Sequence, residues 1–561
     1  MKKLIYLFAI ATLISSCSDF LDVAPKGVLS ETQVSTPDKV ENTVNAAYSS
    51  LGNDHYDTPF SLWPYGNVRS GDAYKGGRDE GDIQNFYFLE TFKNVRTDMG
   101  ELDGLWFKLY VGISRANSSL KVLNTLSESE FPLKAVRQAE VRFLRAHFYF
   151  QLKILFKNIP YLDENIAIAD YPTVSNRALT NDQLWDKIAA DFQYGVDNLP
   201  AIQTQVGRAN KAAATAYLAK TRLYQAYEQD EKNNVTGINK TRLQQVVDLI
   251  NTIPSTYGLV SDYADLFTPG ATENGKESLF AVQFSKDDGT MFGRLNFGDV
   301  LATPMGVGCC DFHKPSKNLA NAFKTDANGL PMFNTYDATP LNLATDKVDP
   351  RLNHTIAIPG HPWKYDPTTL YQASWNRTPD VYGVYASLKE NVCKTCYTQV
   401  GPFYGNTKNR IILRYADVLL WKAEALIEIG GAANLETARG IINDIRTRAQ
   451  NSTAHLKLAD GTYESTFNIG TYPAVGWTQD YARNAMRWER RLELAMEGNR
   501  FFDLVRWGIA DTYMNAYFAS EKSKIAYLKN GLFTKNRDEY CPIPDNQMRF
   551  SKGVYTQNTG Y

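Results

Sequence analysis

The sequence predicts a mostly α protein in which helical hairpins flank a loop-rich block, and three observations carry that expectation. From Leu413 to Ala449 the residues Leu413, Ala416, Leu420, Ala423 and Ile427 recur at helical spacing, Gly430 and Gly431 interrupt, and Leu435, Ala438, Ile441, Ile442 and Ile445 resume. That is a helical hairpin of about the length of one helix-turn-helix repeat, roughly 34 residues. Such a hairpin cannot bury its apolar face alone, and the same periodicity does return elsewhere in the chain. Finally, Gly and Pro supply 25 of the 157 residues from 254 to 410 and 35 of the remaining 404, so the block between the helical regions is rich in loops.

The chain opens on an address. Lys2 and Lys3 precede an apolar run from Leu4 to Ile14, followed by Ser15, Ser16 and Cys17. The run is too short to span a bilayer as a helix, which takes roughly 20 residues, and it has the shape of a secretory signal. Cleavage before Cys17 would make that cysteine the acylated first residue, so residues 1–16 are expected to be a lipoprotein signal peptide and 17–29 a lipidated tether. Residues 30–561 are expected to form one domain, with helical repeats at about 98–252 and 410–510 and a loop-rich, ligand-binding part at about 52–92 and 254–409.

Taken in order, Ser30 with Gln33 and Thr36 before Pro37 are helix-start signals, and a first helix is expected to run to about Leu51. Between Gly52 and Phe92 the periodicity fails and Gly, Asp and aromatics accumulate, which reads as a long loop. Helical spacing returns at Leu102, Leu105, Trp106, Leu109, Ile113, Ala116, Leu120 and Leu123, and again from Leu133 to near Pro160. His147 lies inside that second helix as a satisfied core histidine. The next pair runs from Asp182 to Asp197, opened by a capping box of Thr180 and Gln183, and from Arg208 to Gln229, whose face of Ala212, Thr215, Ala216 and Ala219 favours close packing. Ser278 to Phe284 reads as a short strand. After the hairpin at 413–449 comes a polar excursion to Gly476. A helix from about Thr478 follows, whose Arg487, Glu489, Arg490, Arg491, Glu493 and Glu497 read as a structural ion-pair network. Gly498 is placed to end it, and Phe501 to Trp507 continue as a short helix.

Composition excludes some functions. Charged residues make up 22% and the hydrophobic set 43%, and the formal net charge is −1, which argues against nucleic-acid binding. After Cys17 five cysteines remain, Cys309, Cys310, Cys393, Cys396 and Cys541; in an exported protein an odd count leaves one thiol unpaired within the chain. The pair Cys393 and Cys396 is expected to be a short-range disulfide or two thiols, because zinc would want a second Cys/His pair and none lies at suitable spacing. Residues 270–277 (GATENGKE) imitate a phosphate-binding loop, but Glu277 stands where Ser or Thr must hold magnesium, so they read as a turn. No zinc helix and no nucleophile elbow is present; no metal, no cofactor and no catalytic residue is expected.

Seven stretches in order resemble the SusD/RagB family of outer-membrane nutrient-binding lipoproteins of Bacteroidetes. They are Cys17 with Ser18-Asp19-Phe20-Leu21-Asp22, AEVRFLRAHFYFQL with FKNIPY, GRANKAAATAYLAKTRLY, LRYADVLLWKAEAL, WERRLELAMEGNRFFDLVRWG, PIPDNQ and the terminal QNTGY. Gln547 departs from the family, which usually carries an acidic residue after the PIP motif. The resemblance implies a SusD-like fold of about four tetratricopeptide-like hairpins cradling an irregular half, without enzymatic activity. It also implies a lipid-anchored location on the cell surface at the outer membrane. Its partners would be an oligosaccharide, or in some branches a peptide, and a SusC-like TonB-dependent transporter that the protein caps.

Sugar capture needs flat aromatic faces for the C–H side of a sugar ring, with Asp, Asn and Arg for the hydroxyls. Residues in predicted loops that fit are Trp63, Tyr65, Asp72, Trp375, Arg377 and Tyr404. Trp106, Trp185, Trp421, Trp488 and Trp507 fall in repeat helices and are expected in the core. The order Cys309-Cys310, Arg377, Tyr404 is similar to fructan-binding members, which adds Cys309 and Cys310 to the candidate ligand contacts. The competing expectation is a helical-repeat scaffold for protein partners.

Overall fold

The structure, a computed structural model, describes residues 36–37, 39–289 and 294–561. The proposed signal peptide, Cys17, the tether and the helix-start signal at Ser30 and Gln33 lie outside them.

Nine helices build the scaffold: α1 Val40–Ser49, α2 Gly100–Thr125, α3 Lys134–Phe156, α4 Asn181–Asn198, α5 Lys211–Ala226, α6 Lys240–Asn251, α7 Tyr415–Ile429, α8 Ala432–Asn451 and α9 Gln479–Glu493. Each packs on the next, α1 on α2 through to α8 on α9. The stack therefore passes from α6 directly to α7, although 163 residues of chain lie between them. Helix starts are fixed locally: Thr180 and Gln183 form the expected capping box, and the side chains of Asn210, Asn239 and Thr478 accept N–H bonds from the first turns of α5, α6 and α9. Small residues set the close approaches. Gly112 of α2 lies under the Phe148 ring of α3, where a Cβ would come within 2.4 Å of ring carbons. Ala212, Thr215, Ala216 and Ala219 of α5 are all buried. His147 is in the core, hydrogen-bonded to Tyr217 at 2.6 Å. The helix tryptophans are buried, Trp488 only partly.

The block between α6 and α7 contains no extended sheet. Among the described residues every sheet has two strands. Strand β1 (Ala73–Gly76) pairs antiparallel with β3 (Phe312–Pro315), and β2 (Ser278–Val282), the predicted strand, with β4 (Arg410–Arg414). A small hydrophobic cluster of Ala357, Trp363, Tyr371, Ala386 and Leu388 stands apart from the main core.

The ion pairs predicted on α9 fasten this block to the scaffold. Glu489 and Glu493 meet Arg351 at 2.6 and 2.9 Å, and Glu493 also meets Arg414 at 2.6 Å and Arg448. Glu277, at the predicted turn, closes the ring with Arg414 (2.8 Å) and Arg448 (2.9 Å), and Glu497 holds Lys389 at 2.6 Å. All but the partly exposed Glu497 are buried, and the three guanidiniums hold the Glu493 carboxyl far below the usual carboxylate range against the opposing effect of burial. Asp417 and Glu424 of α7 take Arg490 and Arg506. The C-terminus is anchored by Asn558, whose amide donates to the carbonyls of Phe156 (2.7 Å) and Cys541 (2.8 Å). Gln547 donates to Asp103 at 2.8 Å, a contact an acidic residue at 547 would replace with repulsion.

The expectation of a long open loop at 52–92 is not met. It contains a wide helical turn at Pro64–Val68, strand β1 and a helix at Gln84–Thr91, and residues 62–77 are buried throughout. The reason is packing: the Pro64–Val68 turn fills the space beside Arg500–Arg506 and Gln84–Thr91, and only residues 78–82 emerge as an exposed turn. No helix of the described residues is long and apolar enough to cross a membrane.

Candidate functional site

Five of the predicted ligand residues come together in the loop-rich block, Cys309, Trp375, Arg377 and Tyr404 at one surface and Cys310 buried beneath it. The chain turns tightly at 304–310, where Val307 and Gly308 donate N–H bonds to the Pro304 carbonyl, and Cys309 and Cys310 are joined in a vicinal disulfide. Two aromatic rings clasp this loop. A Cβ at Gly306 would lie 2.1 Å from the Trp375 ring and one at Gly308 2.0 Å from the Tyr404 ring, so the approach exists only because both positions are glycine. Met305 N–H donates to the Trp375 carbonyl at 2.9 Å and the Thr303 hydroxyl to that of Tyr404 at 3.4 Å.

Trp375 is half-buried on the separate hydrophobic cluster, edge-on to Trp363 (5.6 Å) and Tyr371 (5.5 Å). Over its ring, 5.2 Å from the centroid, stands the ammonium of Lys394. Lys394 sits between Cys393 and Cys396, which form a disulfide. Cys541 is the free, buried thiol that the odd count required.

Arg377 is exposed, and its backbone N–H donates to buried Asp311 at 2.7 Å, while its guanidinium reaches Asp82 at 3.1 Å. Asp311 also pairs with buried Lys314 at 2.7 Å. Burial raises the Asp311 carboxyl and lowers the Lys314 ammonium, each opposed by its partner. Thr378 donates to the Arg78 carbonyl at 2.7 Å, so the 78–82 turn borders the surface. The arrangement offers ring faces, a sulfur pair, a guanidinium with a carboxylate beside it and an ammonium.

Trp63, Tyr65 and Asp72 are not on this surface. Trp63 is 1% exposed, stacked 4.9 Å from His313, and lines an internal cavity of about 150 Å³ with Gln151, Glu390 and Lys408. Tyr65 is fully buried, and Asp72 is buried in an ion pair with Arg491 at 2.7 Å. Their segment reads as loop because it lacks a period, yet its irregular turns pack inward. Conversely, Lys394 and Asp82 are absent from the sequence-derived set. The two cysteines flanking Lys394 were the signal for one, and the glycines around residues 76–81 for the other. Among the described residues no group of three metal-ligating side chains occurs.

The profile of the SusD family matches residues 276–561, and one described as starch-binding and associating with the outer membrane matches residues 19–223. SusD-like protein P2 of Formosa agariphila is 26% identical over the whole chain and 99% of its own length, and a SusD-like protein of Bacteroides ovatus is 26% identical over 90% of this chain and 82% of its own. Among solved structures, a SusD-like protein of Bacteroides fragilis is similar with a TM-score of 0.68 and 22% identity, covering 96% of this chain and all of that one. Surface glycan-binding protein A of Bacteroides thetaiotaomicron, in complex with laminarihexaose, gives a TM-score of 0.63 at 21% identity over 93% and 99%.

Proposed function

The chain belongs to the SusD family, whose members are glycan-binding proteins and not enzymes, and from that premise we propose that it captures an oligosaccharide at the surface formed by Cys309–Cys310, Trp375, Arg377 and Tyr404. One observation carries the reading: four segments distant in sequence converge to present ring edges and faces beside Arg377 and Asp82. The rings and the disulfide suit the apolar C–H side of a sugar, and the guanidinium and carboxylate supply donors and acceptors for its hydroxyls. Fructan is the first candidate from the residue pattern, and laminarin the first from the neighbours, one a laminarin-binding SusD-like protein and another bound to laminarihexaose.

The rest of the role is delivery. The protein hands its ligand to a SusC-like TonB-dependent transporter, tethered through acylated Cys17 at the cell-surface side of the outer membrane. Support comes from the lipoprotein-like sequence before Cys17 and from the outer-membrane association of the profile at 19–223.

Calorimetric titration of residues 18–561 with laminarihexaose, a β-2,6 fructo-oligosaccharide and a wider glycan panel tests the reading. Binding to one class, lost in Trp375→Ala and in Arg377→Ala, is the expected result. A folded chain that binds no glycan in the panel while a β-barrel transporter co-purifies with it would favour the protein-scaffold reading. Cys17→Ser should release the protein from the membrane fraction; a variant still anchored overturns the lipid tether.

A further inference from the structure

Strand β1 carries a lysine where packing alone asks for a hydrocarbon. Lys75 is buried, yet among the described residues no carboxylate lies within ion-pair distance of its ammonium. Its charge is directed at backbone: Nζ donates to the carbonyls of Asp79 (2.8 Å) and Asp82 (2.6 Å), between the rings of Phe312 and Tyr382 at 5.0 and 5.6 Å. Those two carbonyls belong to the turn that borders the candidate ligand surface. A buried ammonium loses its hydration at a large cost unless its donors are used, so its presence needs a structural reason beyond filling space.

The turn is shaped for the same purpose. Gly76 and Gly77 both take φ of +78°, and a Cβ at Gly76 would fall 2.4 Å from the Asp311 carbonyl oxygen, so the chain leaves β1 pressed against the base of the disulfide loop. Asp79 accepts the N–H groups of Gly81 and Asp82, which closes the turn. The outer oxygen of Asp82 then accepts from Arg78 N–H at 2.9 Å and from the Arg377 guanidinium at 3.1 Å.

We propose that Lys75 is a positioning residue of the ligand surface, holding the 78–82 turn by its carbonyls so that Asp82 fixes the orientation of Arg377. This inference rests on the glycan-capture reading of that surface. Lys75 acts through Asp82 and does not touch ligand. Burial lowers its ammonium to about 8 despite the opposing charges of Glu90 on the neighbouring helix and Asp82, Asp79 and Glu80 on the turn, while Glu90 is itself raised by burial to about 8. The protonated form offers three charge-assisted donors and the neutral form two weaker ones, so the grip on the turn depends on the charged form.

The test uses laminarihexaose and a β-2,6 fructo-oligosaccharide as probes on the full mature chain. Lys75→Met should lose about tenfold in affinity for the probe that binds, with the thermal midpoint little changed, and Lys75→Arg should restore part of it. In a double-mutant cycle with Asp82→Asn the two losses should not add, because both act on Arg377. If Lys75→Met binds as wild type while Trp375→Ala does not, the positioning role is overturned and the ligand surface stands. A wild-type chain that binds neither probe overturns both. Should Lys75→Met fail to fold, Asp82→Asn in the exposed turn carries the test, and unchanged affinity there overturns the inference.

Discussion

The helical stack and the loop-rich block are held together by different physics. In the stack each helix buries an apolar stripe against its neighbours, and caps such as Thr180 and Thr478 settle where it begins. The block has strands of two to five residues in two-stranded pairs, two disulfides and two small separate hydrophobic clusters, and it sends Phe280, Phe312, Phe323 and Leu352 into the main core. What it lacks in regular hydrogen bonding it recovers at the boundary. Glu489, Glu493 and Glu497, at the end of α9 and just beyond it, take buried cations from Arg351 and Lys389 in the block, from Arg414 at its edge and from Arg446 and Arg448 of α8. A regular element can specify itself from local sequence, whereas an irregular one is specified by what it is fastened to.

Breaking that fastening should have the largest effect. Glu493→Gln leaves Arg351, Arg414 and Arg448 short of a buried counter-charge and should lower stability by about 3–5 kcal/mol in chemical denaturation. A loss below about 1 kcal/mol would show that the block holds itself. Acid comes next and acts on both regions. His147 in the stack and His354 in the block are both neutral, pushed down by burial to about 3 and about 4. In the unfolded chain each protonates near 6.5, so from there down to its folded value each lowers stability by about 1.4 kcal/mol per pH unit. Glu493 behaves oppositely in range: its folded carboxyl is depressed, so its contribution is present above the ordinary carboxylate pKa and fades only as pH falls below it. His147→Gln and His354→Gln should each flatten the stability slope between pH 6.5 and 4.5, and equal slopes before and after would sink the assignment.

Smaller effects should be confined to the block. Trp375→Ala should reduce glycan affinity about tenfold or more by calorimetry while the thermal midpoint moves little, since Trp375 packs on the separate cluster and not on the main core. The smallest change is expected from Cys393→Ser with Cys396→Ser, about two- to fivefold in affinity, because that disulfide closes only a short loop and acts by placing Lys394 over the Trp375 ring.

The same contrast explains what the sequence disclosed. Period and capping identified the long helices, because each depends on neighbours within a few residues, and the charge set of α9 reads as structural although its partners, Arg351 and Asp72 among them, lie far away in the chain. Within the block, Trp375, Arg377 and Tyr404 were legible as loop residues with sugar-binding chemistry and the vicinal cysteines joined them only through resemblance; Trp375 and Tyr404 both lie against the turn that carries the disulfide. Trp63, Tyr65 and Asp72 show the limit. Loss of periodicity signals irregular backbone but not exposure, and Asp72 is buried by Arg491, a residue more than four hundred positions away.

The direct packing of α6 on α7 has a consequence for how such a chain can diversify. The intervening excursion leaves and re-enters the scaffold at adjacent points, and the entropy of closing a loop grows only as the logarithm of its length, about 0.6 kcal/mol per doubling. Insertions and deletions in the exposed turns between 254 and 409 are therefore nearly invisible to the stack, provided the cations that meet Glu489, Glu493 and Glu497 survive together with the segments, such as those of Phe280 and Leu352, that enter the main core. Selection for a new glycan can rewrite the excursion while the helices, and whatever docks on them, stay as they are.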